Sequence, residues 1–217
     1  MNINRRGSLR LKGYDYAQAG AYFVTICTHD RACLLGEAVG EGVRLSDAGR
    51  MIQAVWDELS NQYPGVETDV FAIMPNHIHG IVVLVASNPC VGVGPCAYPD
   101  HGQTPERIAE PADVEGQPQG VAPTGLSLSD MVHRFKTLTT KRYTDGVKER
   151  EWPAFRGRLW QRNYYDHVIR NERELDKIRE YIATNPLKWA LDRENPQRTG
   201  RSTEEDALFD IRRRRTS

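Results

Sequence analysis

Apolar positions along this chain follow two spacings, and the alternation between them predicts the elements. Ala21-Tyr22-Phe23-Val24-Thr25-Ile26-Cys27-Thr28 is rich in β-branched and aromatic residues and predicts a strand. Ser46 then offers an N-cap, Met51, Ile52, Val55, Trp56 and Leu59 follow at helical spacing, and Pro64-Gly65 closes the helix. Val66 to Ile73 reads as a second strand, broken at Pro75. Ile81-Val82-Val83-Leu84-Val85 is apolar at both parities, as expected of a strand covered on both faces.

Residues 87–125 change character, with seven prolines and six glycines and no sustained period. A flexible insertion that adds little to the core is expected there. Leu128, Met131, Val132, Phe135 and Leu138 restore helical spacing. Leu159 to Ile169 reads as a further strand, and Asn171 with Glu174 forms a capping-box pattern that opens a last helix. Beyond about residue 190 the chain turns polar and ends in Arg212-Arg213-Arg214-Arg215, which predicts a mobile tail over 191–217 after a domain spanning 1–190. The order β, α, β, α, β, α, with strands too short and interrupted for a dinucleotide-binding unit, predicts an α+β sandwich: an antiparallel sheet with helices packed on one face.

Composition narrows the setting. No apolar run reaches the length of a membrane span, and Met1-Asn2-Ile3-Asn4-Arg5-Arg6 lacks the apolar core of a signal peptide, so a cytoplasmic protein without membrane attachment is expected. Cys27, Cys33, Cys90 and Cys96 form no C-x-x-C pair and read as reduced thiols. Net charge is zero but unevenly spread. Residues 1–20 carry four basic and one acidic side chain, residues 30–120 four basic and thirteen acidic, and residues 131–190 fourteen basic and eight acidic. Such polarity permits a basic face for phosphates without establishing one. The candidates for it are Arg5, Arg6, Arg10 and Lys12 near the start, Arg134, Lys136, Lys141 and Arg142 on the helix after the insertion, and Arg162. Tyr14, Tyr16, Tyr164 and Trp160 are candidates for stacking on unpaired bases.

Two clusters carry candidate chemistry. His77-Ile78-His79 sits where an extended segment puts side chains at i and i+2 on one face, so two imidazoles project side by side. Buried there without partners they would only cost desolvation, which a shared cation or another polar partner would resolve. On the last helix, Tyr181 and Asn185 lie about 40° apart, at the margin of a buried stripe of Leu175, Ile178 and Ile182. Asn185 precedes Pro186, so the helix is expected to end there with the amide free to turn toward a ligand.

Pro75-Asn76-His77-Ile78-His79-Gly80, Leu159-Trp160-Gln161-Arg162-Asn163-Tyr164 and Tyr181-Ile182-Ala183-Thr184-Asn185-Pro186 together resemble the HUH single-tyrosine transposases, and among them the REP-associated tyrosine transposases of bacteria. The resemblance covers roughly residues 5–86 and 126–190, in family order. It implies the ferredoxin-like HUH endonuclease fold. It further implies that His77 and His79, with Asn185 as third ligand, bind one divalent cation, magnesium or manganese, and that Tyr181 attacks a scissile phosphate to leave a 5′-phosphotyrosyl link and a free 3′-hydroxyl. The implied substrate is single-stranded DNA or the foot of a REP-like hairpin, and a homodimer is one option for the assembly. A replication-initiator or relaxase nickase would share these parts, and a domesticated DNA-binding protein would keep the fold without cutting. A small zinc-binding module is disfavoured by the placement of the cysteines.

Overall fold

The computed structural model describes residues 13–86 and 125–200. Its elements run β1 (Gly20–Cys27), a 3-10 turn (His29–Arg31), β2 (Gly36–Val39), β3 (Gly42–Leu45), α1 (Asp47–Gln62), β4 (Val66–Met74), β5 (His77–Leu84), α2 (Leu128–Glu149), β6 (Tyr165–Ile169), α3 (Glu172–Thr184) and a 3-10 turn (Asn185–Leu191). The main sheet has the order β4-β5-β1-β6, and every neighbouring pair is antiparallel. The long apolar strands β1 and β5 therefore take the centre, where both edges are hydrogen-bonded.

Side-chain alternation divides the core into two layers. Tyr22, Val24 and Ile26 of β1, with Ile78 and Val82 of β5, face α1 and α2. Phe23 and Ile81 point the other way and pack with Ile178, Tyr181 and Ile182 of α3. The α+β sandwich on an antiparallel sheet is as the sequence predicts, but the helices cover both faces rather than one. The cause is visible in β5, buried at nearly every position: a strand apolar at both parities needs cover on both sides. Gly80 fixes the spacing of one layer, because a Cβ there would stand 2.5 Å from the Trp56 ring of α1.

Helix ends follow their caps. The Ser46 hydroxyl accepts from Gly49 N at 3.1 Å, and Ser127 with Asp130 completes a capping box at α2. At α3 the Asn171 side chain accepts from Glu174 N at 2.9 Å, while the Glu174 carboxylate reaches back one residue further than expected, to Arg170 N. The strand expected over 159–169 is shorter: only Tyr165–Ile169 pairs along β1, and Trp160 makes an isolated bridge to Thr28. The β2–β3 hairpin was not anticipated, although Gly40 at φ +58° and Gly42 mark its turn.

The insertion expected at 87–125 lies outside the described residues apart from Gly125. The boundary expected at 190 is displaced: Asp192 and Asn195 are buried, so the chain is still part of the folded body there, and the rest of the expected tail, from 201, lies outside the described residues. Polarity misled at this point, because these side chains are inside on account of their hydrogen bonds rather than outside on account of their charge. No helix among the described residues is long and apolar enough to cross a membrane.

Candidate active site

The turn Pro75-Asn76 delivers the two histidines. Its carbonyls are taken by neighbouring backbone, Asn76 O by Thr28 N at 2.9 Å and Pro75 O by Leu35 N at 3.0 Å, which pins the start of β5. His77 then pairs in register with Cys27 of β1 and His79 with Thr25. By strand alternation both share the face of Ile81, the face that α3 covers. Their Nε2 atoms stand 3.0 Å apart. The other ring nitrogens have partners of their own, Asn76 Oδ1 at 2.8 Å from His77 Nδ1 and Thr25 Oγ1 at 2.9 Å from His79 Nδ1.

Burial keeps both rings neutral. Desolvation, helped by the Arg31 charge, lowers the His77 pKa to about 3. Desolvation and the neighbouring His77 hold His79 well below its ordinary value. The 3.5 Å approach of Asp192 Oδ2 to His77 Nε2 therefore joins a carboxyl group to a neutral imidazole and is not an ion pair. Burial also pushes the Asp192 carboxyl upward, although His79 opposes this.

Helix α3 brings the tyrosine. Ile178 and Ile182 are buried against the sheet as expected, and Tyr181 lies between them and the histidines. Its ring meets Phe23 edge-on at 6.0 Å and His79 at 5.3 Å, and its hydroxyl is 3.4 Å from His79 Nε2. Arg179 on the next face of α3 pairs with Asp69 of β4 at 2.7 Å, which ties the helix to the far edge of the sheet. Asn185 follows at the helix end, where the chain tightens into the 3-10 turn before Pro186 instead of departing. Asn185 Oδ1 is buried without a hydrogen bond, and so is Asp192 Oδ2. The Trp189 ring lies 6.1 Å from that of His77, tilted by 32°.

The donor set suits a cation. Ligand atoms of His77, His79 and Asp192 lie within 4.8 Å of one another. With two neutral imidazoles and the orphaned Asp192 Oδ2 around one point, the cluster concentrates lone pairs and supplies no positive charge to balance them. A divalent ion bound there would offset the desolvation that these groups otherwise incur.

The structure sorts the expected site residues unevenly. His77 and His79 meet through their Nε2 atoms, Tyr181 approaches His79, and Asn185 is buried at the end of the same helix as Tyr181. Asp192 was missed because it was assigned to the tail; Trp189, three residues before it, was the available sign that the core had not ended. Arg5, Arg6, Arg10 and Lys12 lie outside the described residues. Arg134, Lys141 and Arg162 are exposed, with the Arg134 guanidinium 5.1 Å over the Tyr63 ring. Arg142 is drawn into an ion pair with Glu58 of α1 at 2.7 Å. Lys136 is half-buried and donates to the carbonyls of Gln161, Arg162 and Asn163. Tyr14 packs edge-on against Tyr16 at 5.0 Å. Trp160 is a correction: it is 4% exposed, packs near Phe135 and donates from Nε1 to Thr139 Oγ1 at 2.8 Å, so it has no free face for a base.

The family model described as IS200-like transposase matches residues 121–185. An uncharacterized protein of Haemophilus influenzae is 31% identical over 193 residues, covering 88% of this chain and 93% of that protein. A putative REP-associated tyrosine transposase of the same organism is 23% identical over 174 residues, covering 80% of this chain and 74% of that one. Among solved structures, a REP-associated tyrosine transposase bound to a REP hairpin aligns with a TM-score of 0.47 at 17% identity, over 82% of this chain and 73% of that one. A putative transposase of Deinococcus radiodurans aligns with a TM-score of 0.39 at 17% identity, over 80% and 95%. The chain is thus similar to the IS200-like transposases over residues 121–185, which include α2, β6 and α3, and to a putative REP-associated tyrosine transposase over 174 residues.

Proposed function

We propose that this protein cuts and rejoins single-stranded DNA with Tyr181 as nucleophile, at a divalent-cation centre held by His77, His79 and Asp192 with the Asn185 amide beside them. The observation that carries the reading is the placement of the Tyr181 hydroxyl 3.4 Å from His79 Nε2, beside a cluster of otherwise unbalanced lone pairs. A bound cation would supply Lewis acidity at a phosphodiester. The oxygen ligands suit magnesium or manganese, as the family implies, although two imidazoles alone would also take a softer ion.

Tyr181 attacks phosphorus in line. The bond from Oη to phosphorus forms as the bond from phosphorus to O3′ breaks, which leaves the 5′-phosphate esterified to tyrosine. The proton lost by the phenol is matched by the one gained at the new 3′-hydroxyl. A phenolate is both a competent nucleophile and a tolerable leaving group, so a second 3′-hydroxyl can reverse the step onto a new strand. No nucleotide hydrolysis is required.

An unpaired strand is the substrate this site admits. Tyr181 is 7% exposed and Phe23 and His79 flank its ring, so a phosphate must be brought deep into the face that α3 covers. A stacked duplex is too stiff and wide to do so, whereas a single strand at the foot of a REP-like hairpin is not. The candidates to hold the flanking backbone are the exposed Arg134, Lys141 and Arg162, with Arg5, Arg6, Arg10 and Lys12, which lie outside the described residues.

The test is incubation of 5′-labelled and 3′-labelled single strands with Mn2+, followed by denaturing electrophoresis. A covalent adduct that retains the 3′ label and vanishes in Tyr181→Phe is expected. An adduct that retains the 5′ label, or cleavage with no adduct, would overturn the proposed chemistry.

A further inference from the structure

We infer that Asn76 is the positioning residue of this centre: one end of its amide decides which nitrogen of His77 faces the site, and the other end holds the segment that delivers Asp192. The inference rests on the cation-site reading given above.

Asn76 is fully buried in the turn between β4 and β5. Its Nδ2 donates to two carbonyls, Glu194 O at 2.8 Å and Arg31 O at 3.2 Å. Carbonyls only accept, so the amino end of the amide must lie there and the amide cannot be turned over. Oδ1 consequently faces His77 Nδ1 at 2.8 Å. An amide oxygen also only accepts, so His77 must carry its proton on Nδ1. Its Nε2 lone pair is thereby directed at His79 and Asp192, as a ligand to a cation requires.

His79 has no such constraint. Its Nδ1 partner is the Thr25 hydroxyl at 2.9 Å, which can donate or accept. Without a cation, His79 can keep its proton on Nε2 and donate it to His77 Nε2 across 3.0 Å. With a cation, the proton belongs on Nδ1 and is donated to Thr25 Oγ1. The centre thus pairs one histidine of fixed tautomer with one that adjusts.

The amino end of Asn76 acts on a different ligand. Glu194 N donates to Asp192 Oδ1 at 2.6 Å, which leaves Oδ2 turned toward His77. Holding the Glu194 carbonyl therefore holds the Asp192 carboxyl. Arg31 secures the same segment independently, through a 3.0 Å ion pair from Nε to Glu194 Oε2. Removal of Asn76 should disturb both the His77 tautomer and Asp192, whereas removal of the Arg31 side chain should leave the His77 tautomer in place.

The experiment uses full-length protein labelled with 15N-histidine. Long-range proton–nitrogen spectra of the metal-free protein report each ring tautomer, and Mn2+ titration followed by electron paramagnetic resonance reports affinity. In the wild type, His77 is expected protonated on Nδ1 only. In Asn76→Ala, its tautomers should mix and Mn2+ affinity should fall by about 10- to 100-fold. Arg31→Ala should keep the His77 tautomer. A simple turn-forming role for Asn76 would lower stability and leave the tautomer alone. Wild-type His77 protonated on Nε2 would overturn the inference, and needs no variant to fold. So would an Asn76→Ala protein with wild-type tautomer or wild-type affinity. If the wild type bound no Mn2+, the cation reading would fail, and the tautomer comparison alone would decide the role of Asn76.

Discussion

Tyr181 Oη lies 3.4 Å from His79 Nε2 across 102 positions of sequence, joining the helix α3 that covers one sheet face to the strand β5 beneath it. The contact is long for a hydrogen bond and contributes little to stability by itself. The ring, by contrast, is wedged against Phe23 and His79. Tyr181→Phe should therefore remove the covalent DNA adduct while changing unfolding free energy by less than about 1 kcal/mol. Tyr181→Ala should cost about 3–5 kcal/mol. Urea unfolding beside the adduct assay separates the two, and wild-type adduct levels in Tyr181→Phe would pass the role to another nucleophile, Tyr164 or Tyr165.

A cation that binds the folded chain alone must also stabilise it. At Mn2+ about 100 times its dissociation constant the gain is about 2.7 kcal/mol, readable as a shift in the thermal midpoint. His79→Ala should show no such gain and no cation-dependent cleavage, yet should retain most of its affinity for single strands, since phosphate contacts lie elsewhere. Equal stabilisation of wild type and His79→Ala by Mn2+ would place the ion at some other site.

Much of this centre is legible from spacing. His77 and His79 share a face because strands alternate, and Tyr181 and Asn185 share a face because helices turn by about 100° per residue. Both relations are local, so a sequence displays them. Asp192 is not legible in that way. It reaches His77 only because a 3-10 turn over Asn185–Leu191 carries the chain back across the sheet, and Asn76 then takes the Glu194 carbonyl across 118 positions. Nothing periodic announces such a return, and a polar run reads as a tail. Trp160 failed for a related reason: its Nε1 partner, Thr139, lies on α2, and only the packed structure shows that the ring is enclosed. The helix on the second sheet face is foreshadowed by the double-sided apolarity of β5, which calls for cover on both sides.

Trp160 should accordingly behave as a core residue. Trp160→Ala removes a large buried ring and should destabilise the fold by about 3–5 kcal/mol. Trp160→Phe should be milder, since Thr139 Oγ1 keeps its bond to Phe135 O at 2.7 Å. In either variant, single-strand affinity per folded molecule should match the wild type. A selective loss of affinity in a stable Trp160→Phe protein would restore its role in stacking on bases.

Lys136 gives the fold a dependence on alkaline pH. Burial lowers its pKa to about 8, against a small opposing influence from Cys27 of β1, the titratable group that faces it. The Tyr164 ring 5.4 Å away adds no charge at neutral pH. Below pH 8 the folded and unfolded chains both hold the proton, and burying the charge weighs against folding. Between pH 8 and the ordinary lysine range the unfolded chain holds more protons, so stability rises with pH through that window. Comparison with Lys136→Met isolates the effect: from pH 7.5 to 9.5 the wild type should gain on the variant in urea unfolding. Parallel pH profiles would mean that Lys136 keeps an ordinary pKa.

Whether one chain or two make a working centre can be read from mixtures of inactive variants. Within this chain Tyr181 already meets the histidines of its own β5, and α3 is fastened to its own β4 by the Arg179–Asp69 pair, with Glu172 and Asp176 also facing Arg179. Half-buried and doubly hydrogen-bonded, that pair is a better anchor than an isolated surface contact, which is worth about 1 kcal/mol at most. An exchange of α3 between two copies would remake this pair and the cover over Phe23 and Ile81 between chains, whereas this chain makes both within itself. Tyr181→Phe mixed with His79→Ala should therefore give no adduct, because each chain brings one defect to its own centre. Asp69→Asn should loosen the anchor, lowering adduct yield in an otherwise wild-type chain without lowering Mn2+ affinity. Adduct restored by mixing the first two variants would show that the tyrosine acts in a partner's site, and the protein would then work as a helix-exchanged dimer.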